Sequence, residues 1–303
     1  MPELPDLAHI EAKLRPALTG RTIADARTGD PTVLRMMVDE PLAQALRGRR
    51  VTSVDRRGHF MRFGIEGGRV IVINAMLVGR YRLHAAADLK GKGKKDPRAL
   101  GLALVLEGGD ELHYVDDKRM GKVYVARQEQ EAEIPVYGQL GADVLAIDFT
   151  RARFGQLLRK RRDQVRMFLM DKRALASIGN AYADEILFAA SIHPKTFCNK
   201  LSPEEADALY AAIPAVLRHA IGEIGRRDPP IDEKLRDFLA VRGRDGKPCP
   251  RCGTTIRAVR IGDGDSCFCP RCQPAARKLF IDWGALPQKA KGQAKGQAKA
   301  KAK

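Results

Sequence analysis

Cys249, Cys252, Cys269 and Cys272 constrain this chain more than any other residues, because they form two C-P-R-C pairs separated by sixteen residues. One C-x-x-C pair fills only half of a tetrahedral shell. A second pair returning on a neighbouring turn fills the rest, so the spacing predicts a zinc ribbon with one structural Zn2+ on four thiolates. A redox C-x-x-C more often occurs once, near a βαβ pattern. The two remaining cysteines, Cys198 and Cys267, fit no ligand spacing, and Cys267 reads as a spare thiol. In a chain of 303 residues without a signal peptide, six cysteines do not suggest a secreted disulfide framework. No apolar run approaches the ~18 residues that span a bilayer. The expected location is cytoplasmic, associated with the nucleoid.

The formal net charge is +17 and the pI is near 9.8. Six lysines and no acids lie from Ala285 onward, and removing them still leaves +11. The body of the protein is therefore basic in its own right and suited to a polyanion. The Lys-rich tail, residues 285–303, lacks aromatic and β-branched residues and is expected to be disordered. A second low-complexity run, KGKGKK at residues 90–95, reads as a basic loop between strands.

The first 130 residues read as a β-sandwich behind a leading helix. Leu7, Ile10, Leu14 and Leu18 recur at helical spacing, with Pro16 expected to disturb the last turn. Short strand signals follow at 70–73, 81–83, 102–106, 112–115 and 123–125, some separated by Gly-Gly turns. From about residue 143 to 240 the pattern is helical. It includes a basic amphipathic stretch at 149–161 and a short helix, Gly-Asn turn and second helix within 171–190. Ser202-Pro203-Glu204-Glu205 is a capping box opening a helix whose Pro214 implies a kink or break. The ribbon occupies 241–284. The fold class is thus α+β and multidomain.

The chain begins Met-Pro-Glu. With Met1 removed, Pro2 carries a secondary amine. An α-amino group has a pKa of ~8, so part of it is neutral and nucleophilic near pH 7. Such an amine can attack a sugar C1′ and form an iminium, and Glu3 is placed to move protons. Alone, Pro2 reads first as a helix starter, and the catalytic reading is the weaker one.

The order of motifs is more specific. PELPDL at 2–7, VDDKRMG at 115–121, LGADVLAIDFT at 140–150, LMDKRALASIGNAYADEILF at 169–188 and CPRCGTTI…CFCPRCQ resemble, in sequence, the formamidopyrimidine-DNA glycosylase / endonuclease VIII (Fpg/Nei) family. The resemblance covers the chain to about residue 282 and implies a bifunctional base-excision-repair enzyme. Such an enzyme flips an oxidised base from damaged double-stranded DNA, attacks through its terminal proline and cleaves the strand by elimination. It implies Pro2 as nucleophile and Glu3 as proton donor, with Glu185 near the amino terminus. Asn180, Arg162 and Arg166 are then phosphate contacts. Met76, Leu77 and Val78, and across from them Arg119 and Met120, would fill the gap left by the flipped base. A monomer is expected.

Three departures bear on activity. His59, in DRRGHFMRF, stands where the family usually has a hairpin lysine. Gly264 stands where the finger tip usually has arginine, with Arg257 and Arg260 as candidate substitutes. The stretch 225–241 is short for a loop that caps oxidised guanine, which favours an endonuclease VIII-like substrate range, or none. The alternative is a non-catalytic or attenuated paralogue that binds damaged or abasic DNA.

Overall fold

The computed structural model describes residues 2–89, 99–262 and 264–275. The KGKGKK run and the Lys-rich tail lie outside the described residues. The chain begins with α1 (Leu4–Leu18), β1 (Ile23–Arg27), β2 (Leu34–Met36), α2 (Leu42–Leu46), β3 (Val51–Arg57) and β4 (Phe60–Ile65). It continues through β5 (Arg69–Asn74), β6 (Arg80–His84), α3 (Ala86–Leu89), β7 (Leu100–Leu106), β8 (Glu111–Val115) and β9 (Lys122–Arg127). Two sheets result, in the orders β2-β9-β5-β4-β3 and β1-β7-β8-β6. All pairings are antiparallel except β2 with β9.

The central strand β5 is buried along its whole length. Ile71 and Ile73 face the core between the sheets, while Val70 and Val72 pack outward against Phe60, Ala126, Ile134 and Tyr137. A strand covered on both faces reads as a continuous apolar run, which is why this one is visible in sequence. Strands β1, β3 and β4 carry no such signal. Arg, Asp and Ser interrupt β3, and β4 includes Arg62 and Gly64.

The helical part holds β10 (Ala142–Asp143), α4 (Arg151–Arg159), α5 (Val165–Met170), β11 (Leu175–Ala176), α6 (Asn180–Ala189) and α7 (Pro203–Arg227). The short helix expected inside 171–190 is α5, which ends before Asp171. The Ser202 hydroxyl caps α7 by accepting from the Glu205 N–H, and the Glu205 carboxylate accepts from the Ser202 N–H in return. Neither internal proline breaks its helix: α1 runs through Pro16 and α7 through Pro214. An interior proline costs about 3 kcal/mol. Burial of Leu209, Ile213, Leu217 and Ile224 offsets that, at roughly 1.5–3 kcal/mol per large side chain. The ribbon hairpin is β12 (Arg257–Ile261) with β13 (Gly264–Phe268).

Helix α1 ties the two parts together. Leu7, Ile10, Leu14 and Leu18 enter the sandwich core. Leu4, one turn earlier, belongs to the helical core with Leu175, Ile178 and Tyr182. The amino terminus is thereby held at the junction of two hydrophobic cores.

Candidate active site

Glu3 is the N-cap of α1, and its N–H donates to the Asp6 carboxylate at 2.8 Å. Its own carboxylate is buried and accepts from the Gly179 N–H at 3.1 Å, the Ala181 N–H at 3.0 Å and the Tyr182 N–H at 3.2 Å. The first turn of α6 thus gives its unpaired amides to a residue more than 170 positions earlier. Gly179 permits this, since a Cβ there would lie 2.4 Å from the Glu3 carboxyl carbon. Ser177, just before this turn, adopts a left-handed φ of 94°, and its carbonyl accepts from the Leu4 N–H at 3.4 Å.

Pro2 is buried beside Glu3. It borders a gap of about 10 Å³ lined by Asp6, Ile10, Gly79 and Arg80 on one side and residues 231–234 on the other. That segment follows α7 and is pinned across the junction. Arg236 donates to both Asp6 oxygens, at 2.9 and 2.6 Å, and Arg82 pairs with Asp232 at 2.8 Å. The short 225–241 connection therefore lies against the amino terminus.

His59 sits at the β3–β4 turn, 7% exposed, with its ring 4.4 Å from that of Phe60. Burial, helped by the nearby Lys172 charge, lowers its pKa to about 4. The ring is neutral near pH 7, so it does not replace a fixed hairpin charge. Its Nδ1 is buried without a hydrogen-bond partner. Lys172, which sequence reasoning did not single out, donates to the Ile178 carbonyl at 2.6 Å, and burial lowers its pKa.

The two turns expected to enter DNA are neighbours. Met76 and Arg119 both have positive φ, and Leu77 and Met120 are among the exposed large apolar side chains. Gly79 and Gly121 close the two turns over the same buried Tyr114 hydroxyl, which leaves no room for a Cβ at either position. Arg80 and Asp117 form an ion pair across them. Arg119 also pairs with Asp30 at 2.6 Å.

Arg162 is not sealed in the protein and is consistent with a phosphate contact, but Arg166 is not. Arg166 is 1% exposed and donates to Asp184 at 3.0 Å, to Asn180 Oδ1 at 2.8 Å and to the Asp265 carbonyl at 3.2 Å. The phosphate role expected of it is therefore corrected. Arg166 fixes the Asn180 amide so that its NH2 is left as the outward donor. Glu185 takes its partners from the chain leading into the ribbon. Its carboxylate turns to the N–H groups of Ala240, Val241 and Arg242, at 2.8–2.9 Å, and anchors the start of the ribbon. Burial raises its pKa against those three bonds.

Asp184 is the pivot between helices and ribbon. Fully buried, it accepts from Arg166, from Arg242 at 2.9 Å, from the Ser266 hydroxyl at 2.6 Å and from the Cys267 N–H at 2.9 Å. Nothing in its sequence context distinguishes it from Glu185. In the ribbon, the ligand sulfurs of Cys249, Cys252, Cys269 and Cys272 lie within 4.8 Å of one another. A tetrahedral zinc with Zn–S bonds of ~2.3 Å places its sulfurs about 3.8 Å apart. The Cys249–Cys272 and Cys252–Cys269 separations are 3.9 and 3.5 Å, so four thiolates fit one structural zinc. Cys267 stays outside that set, buried with Phe188, Val241 and Ile256. On β12, Arg257 and Arg260 are exposed.

A strand sandwich, a helical domain whose tight turn grips the amino terminus, and a four-thiolate ribbon together define a class of DNA-lesion enzyme. The family models agree segment by segment. The Formamidopyrimidine-DNA glycosylase N-terminal domain matches residues 1–123, the Formamidopyrimidine-DNA glycosylase H2TH domain 140–228, and the zinc finger found in FPG and IleRS 246–275. Formamidopyrimidine-DNA glycosylase of Desulfitobacterium hafniense is 32% identical over 279 residues, covering 90% of this chain and 100% of that one. The Thermus thermophilus protein of the same name is 33% identical over 282 residues, covering 90% and 98%. The crystal structure of MutM (Fpg) from Thermus thermophilus aligns with a TM-score of 0.76 at 32% identity, covering 90% of this chain and 98% of that one. A Lactococcus lactis Fpg complexed with abasic-site DNA aligns at 0.81 and 25% identity, covering 90% and 100%. The chain belongs to the formamidopyrimidine-DNA glycosylase family.

Proposed function

We infer that Pro2, freed by loss of Met1, is the nucleophile of a bifunctional DNA glycosylase. Membership of the family makes the chain a base-excision-repair enzyme that removes oxidised bases and has AP lyase activity. The observation that carries the residue assignment is the placement of Pro2 and Glu3. They stand at the junction of both cores, with Glu3 clamped to the α6 turn and Pro2 beside Gly79 and Arg80, which close the turn carrying Met76 and Leu77.

The chemistry follows from a neutral secondary amine. Its lone pair attacks C1′ of an extruded nucleotide, the glycosidic bond breaks and the base departs with the bonding electrons and a proton. Glu3 passes the proton that the amine loses to O4′, so the C1′–O4′ bond breaks and leaves an iminium at C1′, while the departing base takes its proton from water. Loss of a C2′ proton then expels the 3′ phosphate. The apolar turns would occupy the vacated stack, and Asn180 and Arg162 would hold the backbone. The gap at Pro2 admits at most one water. The partner is damaged duplex DNA, met as a monomer in the nucleoid-associated cytoplasm, and affinity falls steeply with salt.

Borohydride trapping on abasic-site and oxidised-base duplexes tests this. The expected result is a covalent adduct that disappears in Pro2→Gly and in protein retaining Met1. Tight lesion binding without any adduct would instead favour the non-catalytic alternative, whose support is neutral His59 and Gly264.

A further inference from the structure

Glu3 places a carboxylate where a polyanion must dock, so the centre needs a positive charge that no other carboxylate already holds. Among the described residues, Lys172, Arg236 and Arg242 each interact electrostatically with Glu3. Arg236 is paired with Asp6 and Arg242 with Asp184. Lys172 makes its hydrogen bond to a neutral carbonyl, that of Ile178, immediately before the Gly179 amide that binds Glu3. The other charged group near it is Asp171, itself held by Arg161 at 2.6 Å and by the Arg173 N–H at 3.0 Å. Across the junction, Lys172 acts on His59, whose buried Nδ1 has no partner.

We propose that Lys172 is the cation of the catalytic centre, a positioning residue that offsets Glu3 from the helical side and supplies the charge that His59 does not carry at the β3–β4 turn. The ammonium compensates the Glu3 carboxylate, so the phosphates flanking the opened sugar approach Pro2 without repulsion. The position lies in the α5–α6 connection that also carries Gly179 and leads into Asn180, so one connection sets proton relay, counter-charge and phosphate grip together. This inference rests on the Pro2 reading.

The test compares wild type with Lys172→Gln, Lys172→Arg and the double variant His59→Lys/Lys172→Gln in single-turnover trapping and strand scission on abasic duplex from pH 5 to 10. Lys172→Gln is expected to slow adduct formation about 10²-fold, the scale of losing one preorganised charge-stabilising group. The double variant should recover most of that loss. In wild type the rate should rise with pH as the Pro2 amine loses its proton, then fall as Lys172 does. Arginine stays charged throughout, so Lys172→Arg should keep the rise and lose the fall. A Lys172→Gln rate equal to wild type, or an alkaline limb unchanged in Lys172→Arg, overturns the inference. The arginine variant decides the matter even if the glutamine variant fails to fold. If wild type itself forms no adduct, it is the Pro2 reading that fails.

Discussion

Gly264 at the tip of the ribbon stands against Asn180 at the start of α6: a Cβ on Gly264 would lie 3.6 Å from Asn180 Oδ1. The two lie eighty-four positions apart in the sequence. The Asp184 network brings them together by binding Arg166 under Asn180 and Ser266 beside Gly264. A side chain at 264 would therefore project beside the donor assigned to the phosphate.

Gly264→Arg should add one phosphate contact. Each neutralised phosphate contributes about −0.9 to the slope of log K against log salt. The slope for abasic duplex should steepen by roughly one unit, with tighter binding at low salt. An unchanged slope would show that the ribbon tip does not meet the backbone.

Gly179→Ala forces a methyl group to 2.4 Å from the Glu3 carboxyl carbon. The carboxylate must leave at least one of its three amides. Trapping should fall about 10²-fold, in the range for losing a positioned proton-transfer group. Zinc content and the unfolding midpoint of the ribbon should change little, because neither depends on Glu3.

His59 gives the protein a pH-dependent stability of definite sign. Its folded pKa of about 4 lies below the usual 6.5. The unfolded chain therefore binds the proton first as pH falls, and stability decreases between about pH 6.5 and 4. The contribution is on the order of 3 kcal/mol across that window. His59→Gln should flatten the upper part of the curve, from about pH 6.5 to 5, in urea titrations. Parallel curves for the two proteins would mean the ring is not buried neutral.

Asp184→Asn removes the charge that two arginines share in a buried setting. Breaking such a network by deleting one partner costs about 3–5 kcal/mol. Because Asp184 binds both the Ser266 hydroxyl and the Cys267 N–H, the loss should fall on ribbon docking. Zinc should pass faster to a chelator in this variant, measured with a colorimetric dye, while sandwich unfolding stays near wild type.

The residues legible in sequence are those whose role is set by local spacing. Two C-x-x-C pairs fix a metal shell whatever surrounds them. A Ser-x-x-Glu box caps α7 by itself, and the run 70–73 declares a strand buried on both faces. The order of motifs is equally local information, and it carries the family. What spacing cannot supply is the direction of each charge. Arg162 and Arg166 are four apart and chemically alike, yet only Arg166 is sealed against Asp184. Asp184 and Glu185 are adjacent, and only packing decides that both hold the ribbon. Lys172 looks like an ordinary surface lysine until α1 is docked on the helical core, which puts Glu3 in front of it. Electrostatic roles depend on distances between segments far apart in the chain, and those distances exist only once the two cores have closed around the amino terminus.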